Sequence, residues 1–424
     1  MPNAVSHSLG LSRQVDMSEQ SNRERTPQAP DVTVIGGGLA GLAAAALVAR
    51  AGRSVVVREK RGVLGGDATS VVKQGFTFNQ GPHALYRNGP AERVLTSLGV
   101  QLRGGRPPTK GRLVFDGQSE IAPGGPLTLL QTKALRPKEK FEVGKLLGRL
   151  PKLDAGAVSH LTVNEWIDGL CGTQRSREML HAIVRLATYC NQPEAMSADV
   201  AVAQLQMALG AGVLYLDHGW QSLVDQLAVT PGVHISTNDV LDEVPNTPAV
   251  IIAAGGAALA EKLTGRSFDV GPAAHAGCLD LGLNRRPDED LVIGGDVPFY
   301  FSNHSAVADL APPGHFHATV IQYLAAGEEP DADAIKAFTK HGGVGDEDVV
   351  ESRSLHRMTP VTSMPTASRG GLAGRPKATD SGHPNVFLAG DWVGPIGHLA
   401  DASLASAETA ATAALAIVDK RVVA

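Results

Sequence analysis

Gly36, Gly38 and Gly41 fall at G-x-G-x-x-G spacing in VIGGGLAGLAAAALVAR (Val34 to Arg50), after a short apolar run and at the head of an alanine-rich stretch. Glycines at that spacing suit one task. The first permits a tight turn, the second lets backbone approach a pyrophosphate, and the third lets a helix lie close against a strand. Leu39 and Ala40 complete the turn, whose N–H groups and helix dipole favour negative charge. An adenosine ribose also needs a hydrogen-bond acceptor, and Glu59 stands roughly 20 residues on, where such an acid is expected. A carboxylate there would repel a 2′-phosphate, so NADP is disfavoured, and Lys60 follows it directly. The motif leaves NAD and FAD both open.

Other residues could carry chemistry of their own. His83 in GPHALY and His398 in GPIGHLADAS could act as general bases near neutral pH, or simply hydrogen-bond backbone in Gly-Pro turns. Tyr86 and Trp392 are either stacking partners in a site or plain core. Arg185 and Tyr189, at i and i+4 of IVRLATYCNQPE, share a helix face and either line a substrate cavity or pack the helix. His304, His315 and His317 lack helical metal spacing and a nearby acid, so no metal is expected. Cys171, Cys190 and Cys278 are far apart and odd in number, which excludes a disulfide framework and fits a reducing cytoplasm.

These residues need elements to position them. Val32 onward reads as strand, glycine turn, helix and second strand, a βαβ start. GVHISTNDVLDEVPNTPAVIIAAGG (Gly232 to Gly256) ends in an apolar run closed by two glycines, as buried parallel strands do, and NVFLAGDW (Asn385 to Trp392) has the same style. Segments of helical and strand-like character separate them. The expectation is an α/β protein: a Rossmann-type dinucleotide-binding domain over 31–100, 215–256 and 352–424, with a discontinuous α+β substrate domain of mixed sheet and helices over 101–214 and 257–351. Residues 1–30 are polar and read as a disordered leader.

Charge narrows the partners. A net charge of -5 and 4% aromatics argue against nucleic acid. Between Arg103 and Lys152, however, eleven Lys or Arg face four acids, a local net of +7. There FEVGKLLGRLPKL (Phe141 to Leu153) sets Leu146, Leu147 and Leu150 on one helical face flanked by Lys145, Arg149 and Lys152. That pattern suits an interfacial helix, so the 103–152 region is a candidate for peripheral contact with the inner face of a membrane. An amphipathic helix packed on the core is the alternative.

The glycine motif with Glu59, VLGGDATS (Val63 to Ser70) with GFTFNQGPHALY (Gly75 to Tyr86), and NVFLAGDW together resemble the phytoene desaturase and amine oxidase superfamily of flavoproteins. The resemblance implies FAD. It places Gly65 and Gly66 near the pyrophosphate, Gly81, Pro82 and His83 near the flavin, and Gly390 with Asp391 on the phosphates or ribityl chain. It puts the helix beginning at Asp401, Ala402 and Ser403 at the flavin pyrimidine edge, and the backbone of Val233 on the adenine. Asp67 departs from the pattern, since many members carry a basic residue there. The activity implied is dehydrogenation or desaturation of an apolar substrate, isoprenoids included, by hydride transfer to flavin N5. An amine or protoporphyrinogen-type oxidase and a non-catalytic FAD-binding partner protein remain as alternatives.

Overall fold

A computed structural model describes residues 29–80, 84–108 and 110–423. The expected leader lies, as far as residue 28, outside the described residues. Five parallel strands form the first sheet, in the order Val233–Thr237, Val55–Glu59, Val32–Ile35, Ala249–Ile252, Val386–Leu388. Numbered along the chain this is 3-2-1-4-5, the doubly wound order, in which the direction of strand addition reverses between Val32–Ile35 and Ala249–Ile252. Val32, Val34, Val55, Val57, Val250 and Ile251 are wholly buried, as strands covered on both faces require.

Helix Leu39–Arg50 explains the alanine bias. Leu42, Ala43, Ala44, Ala45 and Ala46 are all fully buried, so the helix is apolar around most of its girth. It packs on the sheet beside the 24-residue C-terminal helix Ala400–Val423, which also lies against the sheet and whose Ala407, Ala410 and Ala414 are equally buried. Small side chains on both helices let their backbones come close.

The second sheet has seven strands, in the order Val349–Val361, Ala274–Leu283, Phe316–Leu324, Phe299–Asn303, Leu291–Gly294, Arg112–Phe115, Gln118–Ile121. Its pairs are antiparallel except Arg112–Phe115 beside Leu291–Gly294. Helices Pro137–Arg149, Gln174–Thr188 and Ala198–Leu209 share buried cores with it. A small sheet of Leu85–Tyr86, Val213–Leu216 and Gly104–Gly105 lies apart from both. Residue 352, expected to open the last segment of the dinucleotide-binding domain, falls inside the 13-residue strand Val349–Val361, which pairs with the second sheet along its length. Polar and charged residues alternate outward along that strand and mask its strand character in the sequence.

The basic segment also departs from expectation. Leu146 and Leu150 are 4% and 1% exposed and Leu147 packs against the core, so the face assigned to a membrane is turned inward. No helix among the described residues is long and apolar enough to cross a membrane.

Gly41 is the tightest point of the first sheet's packing, since a Cβ there would stand 1.9 Å from the Gly36 carbonyl oxygen. Gly41→Ala is expected to destabilise the chain by about 1–3 kcal/mol, the usual cost of overpacking. Urea unfolding would check this, and a midpoint equal to wild type would refute the packing argument.

Candidate functional site

A cavity of about 450 Å³ opens at the carboxyl ends of the parallel strands, at the switch point of the sheet, where doubly wound folds bind ligands. Its floor is the glycine turn. Gly36 has φ +109 and donates its N–H to the Arg58 carbonyl at 2.8 Å, while a Cβ on it would meet the Ala253 carbonyl oxygen at 2.7 Å. Gly38 precedes helix Leu39–Arg50, and a Cβ there would have only the Gly65 carbonyl oxygen, at 3.9 Å, as neighbour. The space above Gly38 is therefore open. No side chain caps this helix and no acid stands in its first turn, so its terminal N–H groups face an anion site.

The second glycine pair presses onto the first turn. Gly65, at φ +116, donates to the Gly37 carbonyl at 2.8 Å, and Gly66 sits at φ +56 with its Cβ position 3.5 Å from Gly38 Cα. Leu39, Ala40, Gly65 and Gly66 all line the cavity. Gly41 lies beneath it, serving the helix contact.

Glu59 closes the outer end. Its Oε2 accepts from the Gly37 N–H at 2.6 Å and its Oε1 from the Arg61 N–H at 2.8 Å, and the residue is only 8% exposed. A carboxylate has about four acceptor positions, so each oxygen keeps one for a ribose hydroxyl. Lys60 lines the cavity beside it. Open backbone at Gly38, an uncapped helix start and a fixed carboxylate together suit an adenosine pyrophosphate.

Gly390, Asp391 and the start of the C-terminal helix form the inner end. Asp391 accepts from the N–H of Thr362 at 2.7 Å and from its hydroxyl, and burial pushes the Asp391 carboxyl above the usual range. Asp67 lines the same cavity, and partial burial, then the nearby Asp391, raises its carboxyl too. Leu399, Ala400, Asp401 and Ser403 follow on the lining, with Leu399 at φ +54 just before the helix. The Asp401 carboxylate is engaged elsewhere: Oδ1 accepts from the Ala91 N–H at 2.7 Å and so caps helix Pro90–Ser97. Burial raises its pKa to about 6.

Several expected residues stand away from the cavity. Val233 pairs with Val55, at the far end of the strands from Glu59, and the rim on that side is built by Asp239, Val240 and Leu241 instead. Ala402 is wholly buried and off the lining. Trp392 is wholly buried against Phe268 and belongs to the core of the first sheet. Arg185 donates to the carbonyls of Gly294, Gly295 and Val297 at 3.2–3.3 Å, tying its helix to the second sheet, and burial lowers its pKa to about 10. His398 is 2% exposed, its Nε2 meets the Thr188 carbonyl at 2.9 Å, and burial lowers its pKa to about 4. His398 is thus held by backbone and stands off the lining of this cavity. Gly81, Pro82 and His83 lie outside the described residues.

Tyr86 lines the cavity and donates its hydroxyl to the Ala187 carbonyl at 2.6 Å. Behind it the remaining four of the chain's five tyrosines are all buried. Tyr189 meets Tyr323 edge-on at 5.7 Å, and the hydroxyls of Tyr215 and Tyr300 are 2.8 Å apart. Their wide spacing in sequence hides this wall. Ala253, Ala254, Gly255 and Thr362, also on the lining, follow strands and were legible only as strand ends.

The charge of Asp401 gives a pH test. Its pKa is raised on folding from 3.8 to about 6, so the stabilising difference is present at low pH and is lost as pH rises through 6. About 3 kcal/mol is at stake, by the size of the shift. Asp401→Asn keeps an oxygen for Ala91 and removes the charge. The variant should melt with wild type near pH 4 and above it at pH 7, and superimposable melting temperatures at both would refute the assignment.

Residues 34–98 match the family described as NAD(P)-binding Rossmann-like domain. The phytoene desaturase of Cercospora nicotianae is 39% identical over 77 residues, 18% of this chain and 12% of that protein. The carotenoid 3,4-desaturase of Haloarcula japonica is 41% identical over 73 residues, 17% of this chain and 15% of that one. The matched stretch thus spans less than a sixth of either relative. The fold match is far wider. Cyclohexylamine oxidase from Brevibacterium oxydans has a TM-score of 0.69 at 16% identity, covering 93% of this chain and 99% of that one. An oxidoreductase from Methanosarcina mazei has a TM-score of 0.67 at 16% identity, over 89% and 99%. The N-terminal residues thus match a Rossmann-like dinucleotide-binding domain similar in sequence to that of desaturases, and the chain as a whole shares the fold of these two oxidoreductases.

Proposed function

We propose that the protein is an FAD-dependent oxidoreductase that dehydrogenates an apolar substrate. One observation carries this reading: the cavity runs without interruption from Glu59, past the glycine turn, to Tyr86 and the start of helix Ala400–Val423. An adenosine half would occupy only the outer end. The inner end, with apolar Ala84, Trp220, Pro360 and Leu399 on its walls, suits a second, flat and largely apolar ring system.

In this reading Glu59 holds the ribose, and the N–H groups at the start of helix Leu39–Arg50 with the Gly65-Gly66 backbone hold the pyrophosphate. When bound, FAD supplies hydride acceptance at its flavin ring. Helix Ala400–Val423 directs its positive end at the inner cavity and favours negative charge gained there. Tyr86 and Leu399 exclude water from the same place. The buried tyrosine wall supports an apolar substrate held by contact and oriented for transfer.

The purified chain should carry a flavin absorption spectrum or take up added FAD with one-to-one stoichiometry. Glu59→Ala should weaken FAD at least about tenfold, the loss expected when a charged hydrogen-bond acceptor is removed. A folded, colourless protein that takes up no FAD would overturn the reading. Anaerobic mixing with lipid extracts and with amines then separates the substrate classes, since bleaching by amines alone would make it an amine oxidase.

The basic segment keeps a role in the proposal through a different apolar face. Leu127, Leu130 and Phe141 are 66%, 71% and 70% exposed, and the Lys140 ammonium donates to the Leu130 carbonyl at 2.6 Å, which ties the short helix Pro126–Gln131 to helix Pro137–Arg149. Lys133, Arg136, Lys138 and Lys145 are exposed around them. Apolar side chains amid cations suit an anionic lipid surface. Co-sedimentation with phosphatidylserine vesicles at low salt should be lost in Phe141→Asp, and wild-type protein left in the supernatant would end the idea.

A further inference from the structure

Asp67 sets a negative charge where the cavity is built to receive an anion. It follows Gly66 directly, and the Cβ position of Gly66 lies 3.5 Å from Gly38 Cα, on the backbone surface open to a pyrophosphate. Asp67 is an exposed residue on that lining, so its carboxylate is within reach of a ligand there.

The surroundings do little to hold this charge. Burial on the protein side and the charge of Asp391, which lines the same cavity beyond strand Val386–Leu388, oppose ionisation of Asp67, while Arg61 favours it. Of the helices packed against Gly66–Ala68, Leu39–Arg50 has Arg50 in its last turn as its one charged residue, and Gln221–Ala228 has only Asp225, which accepts from Gln221 at 2.8 Å. Glu59 and the Arg58–Asp239 ion pair lie at the outer end of the cavity and Asp401 at the inner end. Thr362 donates to both oxygens of Asp391, whereas no hydrogen bond among the described residues supports the charge of Asp67.

Like charges that must share a site are relieved when one of them binds a proton. A pyrophosphate diester carries two negative charges and does not titrate near neutral pH, so the proton has to go to the protein. We infer that Asp67 is a cofactor-binding residue that works in its protonated form: FAD enters the cavity together with one proton from solvent, which neutralises Asp67 and makes its carboxyl a hydrogen-bond donor to a phosphate oxygen. This rests on FAD being the ligand of the cavity. Proton uptake on binding makes affinity fall as pH rises, by at most about tenfold per pH unit for a single proton.

FAD titrated calorimetrically into flavin-free, full-length protein, in buffers of different ionisation enthalpy, counts the protons taken up. Wild type is expected to take up close to one proton per FAD within the range from about pH 5 to about pH 8, and to bind more weakly as pH rises through it. Asp67→Asn should take up none and, at about pH 8, should bind FAD at least about tenfold more tightly, the effect of removing one unit charge a few Å from another at a partly screened site. Asp67→Glu should keep the uptake. Thermal melts identify a variant that fails to fold, in which case the wild-type proton count decides alone. FAD binding with no proton taken up at any pH in that range, or uptake that persists in Asp67→Asn, would overturn the assignment and leave the FAD reading standing. Binding that is lost on addition of EDTA would give the neutralising role to a divalent cation and overturn it as well. Folded protein that binds no FAD would overturn both.

Discussion

The structure depends on a backbone-to-backbone approach that only glycine permits. Gly36 rests against the Ala253 carbonyl, Gly41 against that of Gly36, and the Gly65-Gly66 pair against Gly38, so three chain segments meet with no side chain between them. Each contact brings an N–H or an open Cα surface toward one space. Glu59 then locks the turn from outside by accepting the Gly37 N–H. Packing and site are the same feature here, which is why a one-carbon addition at Gly41 would disturb both.

The second sheet is fixed to this turn through a carboxylate. Strand Val349–Val361 ends one residue before Thr362, whose N–H and hydroxyl both donate to Asp391 at the end of the fifth parallel strand. Arg375 reinforces the joint by donating to the carbonyls of Asp391 at 2.8 Å and Gly397 at 2.7 Å. Breaking the Asp391 contact would strand a buried carboxyl, so the two sheets are held in register by a bond that is costly to lose. The loop Gly390–Leu399, trapped between these ties, sets where helix Ala400–Val423 begins and hence where its positive end points.

Much of this was legible in the sequence because it rests on local rules. A G-x-G-x-x-G turn after a strand, an acid at the next strand end and an apolar run ending in Gly-Asp each announce their own place. Residues whose role depends on distant partners were not legible. Trp392 follows Gly390-Asp391 directly, yet Phe268 draws its ring into the core. His398 sits in a site loop, yet the Thr188 carbonyl claims it. Arg185 and Tyr189 were expected on one helix face, but the helix ends at Thr188 and Tyr189 follows in the left-handed conformation at φ +59, and their side chains meet carbonyls and a ring of the second sheet. Val233 failed for a geometric reason: in a parallel sheet only carboxyl ends face the cavity, and Val233 starts its strand. The same rule, applied to Thr237 and Ile252, would have led to Asp239, Val240, Ala253 and Gly255.

The distribution of charge around the cavity carries one further consequence. The carboxyls of Asp67 and Asp391 line the region where a pyrophosphate is proposed to lie, and burial raises both. Cations are grouped at the outer end instead, with Arg58, Lys60 and Arg61 near Glu59. A phosphate in the middle of the cavity must therefore be stabilised by dipoles, not by ion pairs. The start of helix Leu39–Arg50 and the glycine amides supply those dipoles, and their fixed orientation costs no side-chain entropy. Asp67, which departs from the basic residue common in the family that the sequence motifs resemble, is tolerable on this arrangement because nothing at that point relies on a cation. The start of helix Leu39–Arg50 carries the load, and its placement follows from glycine.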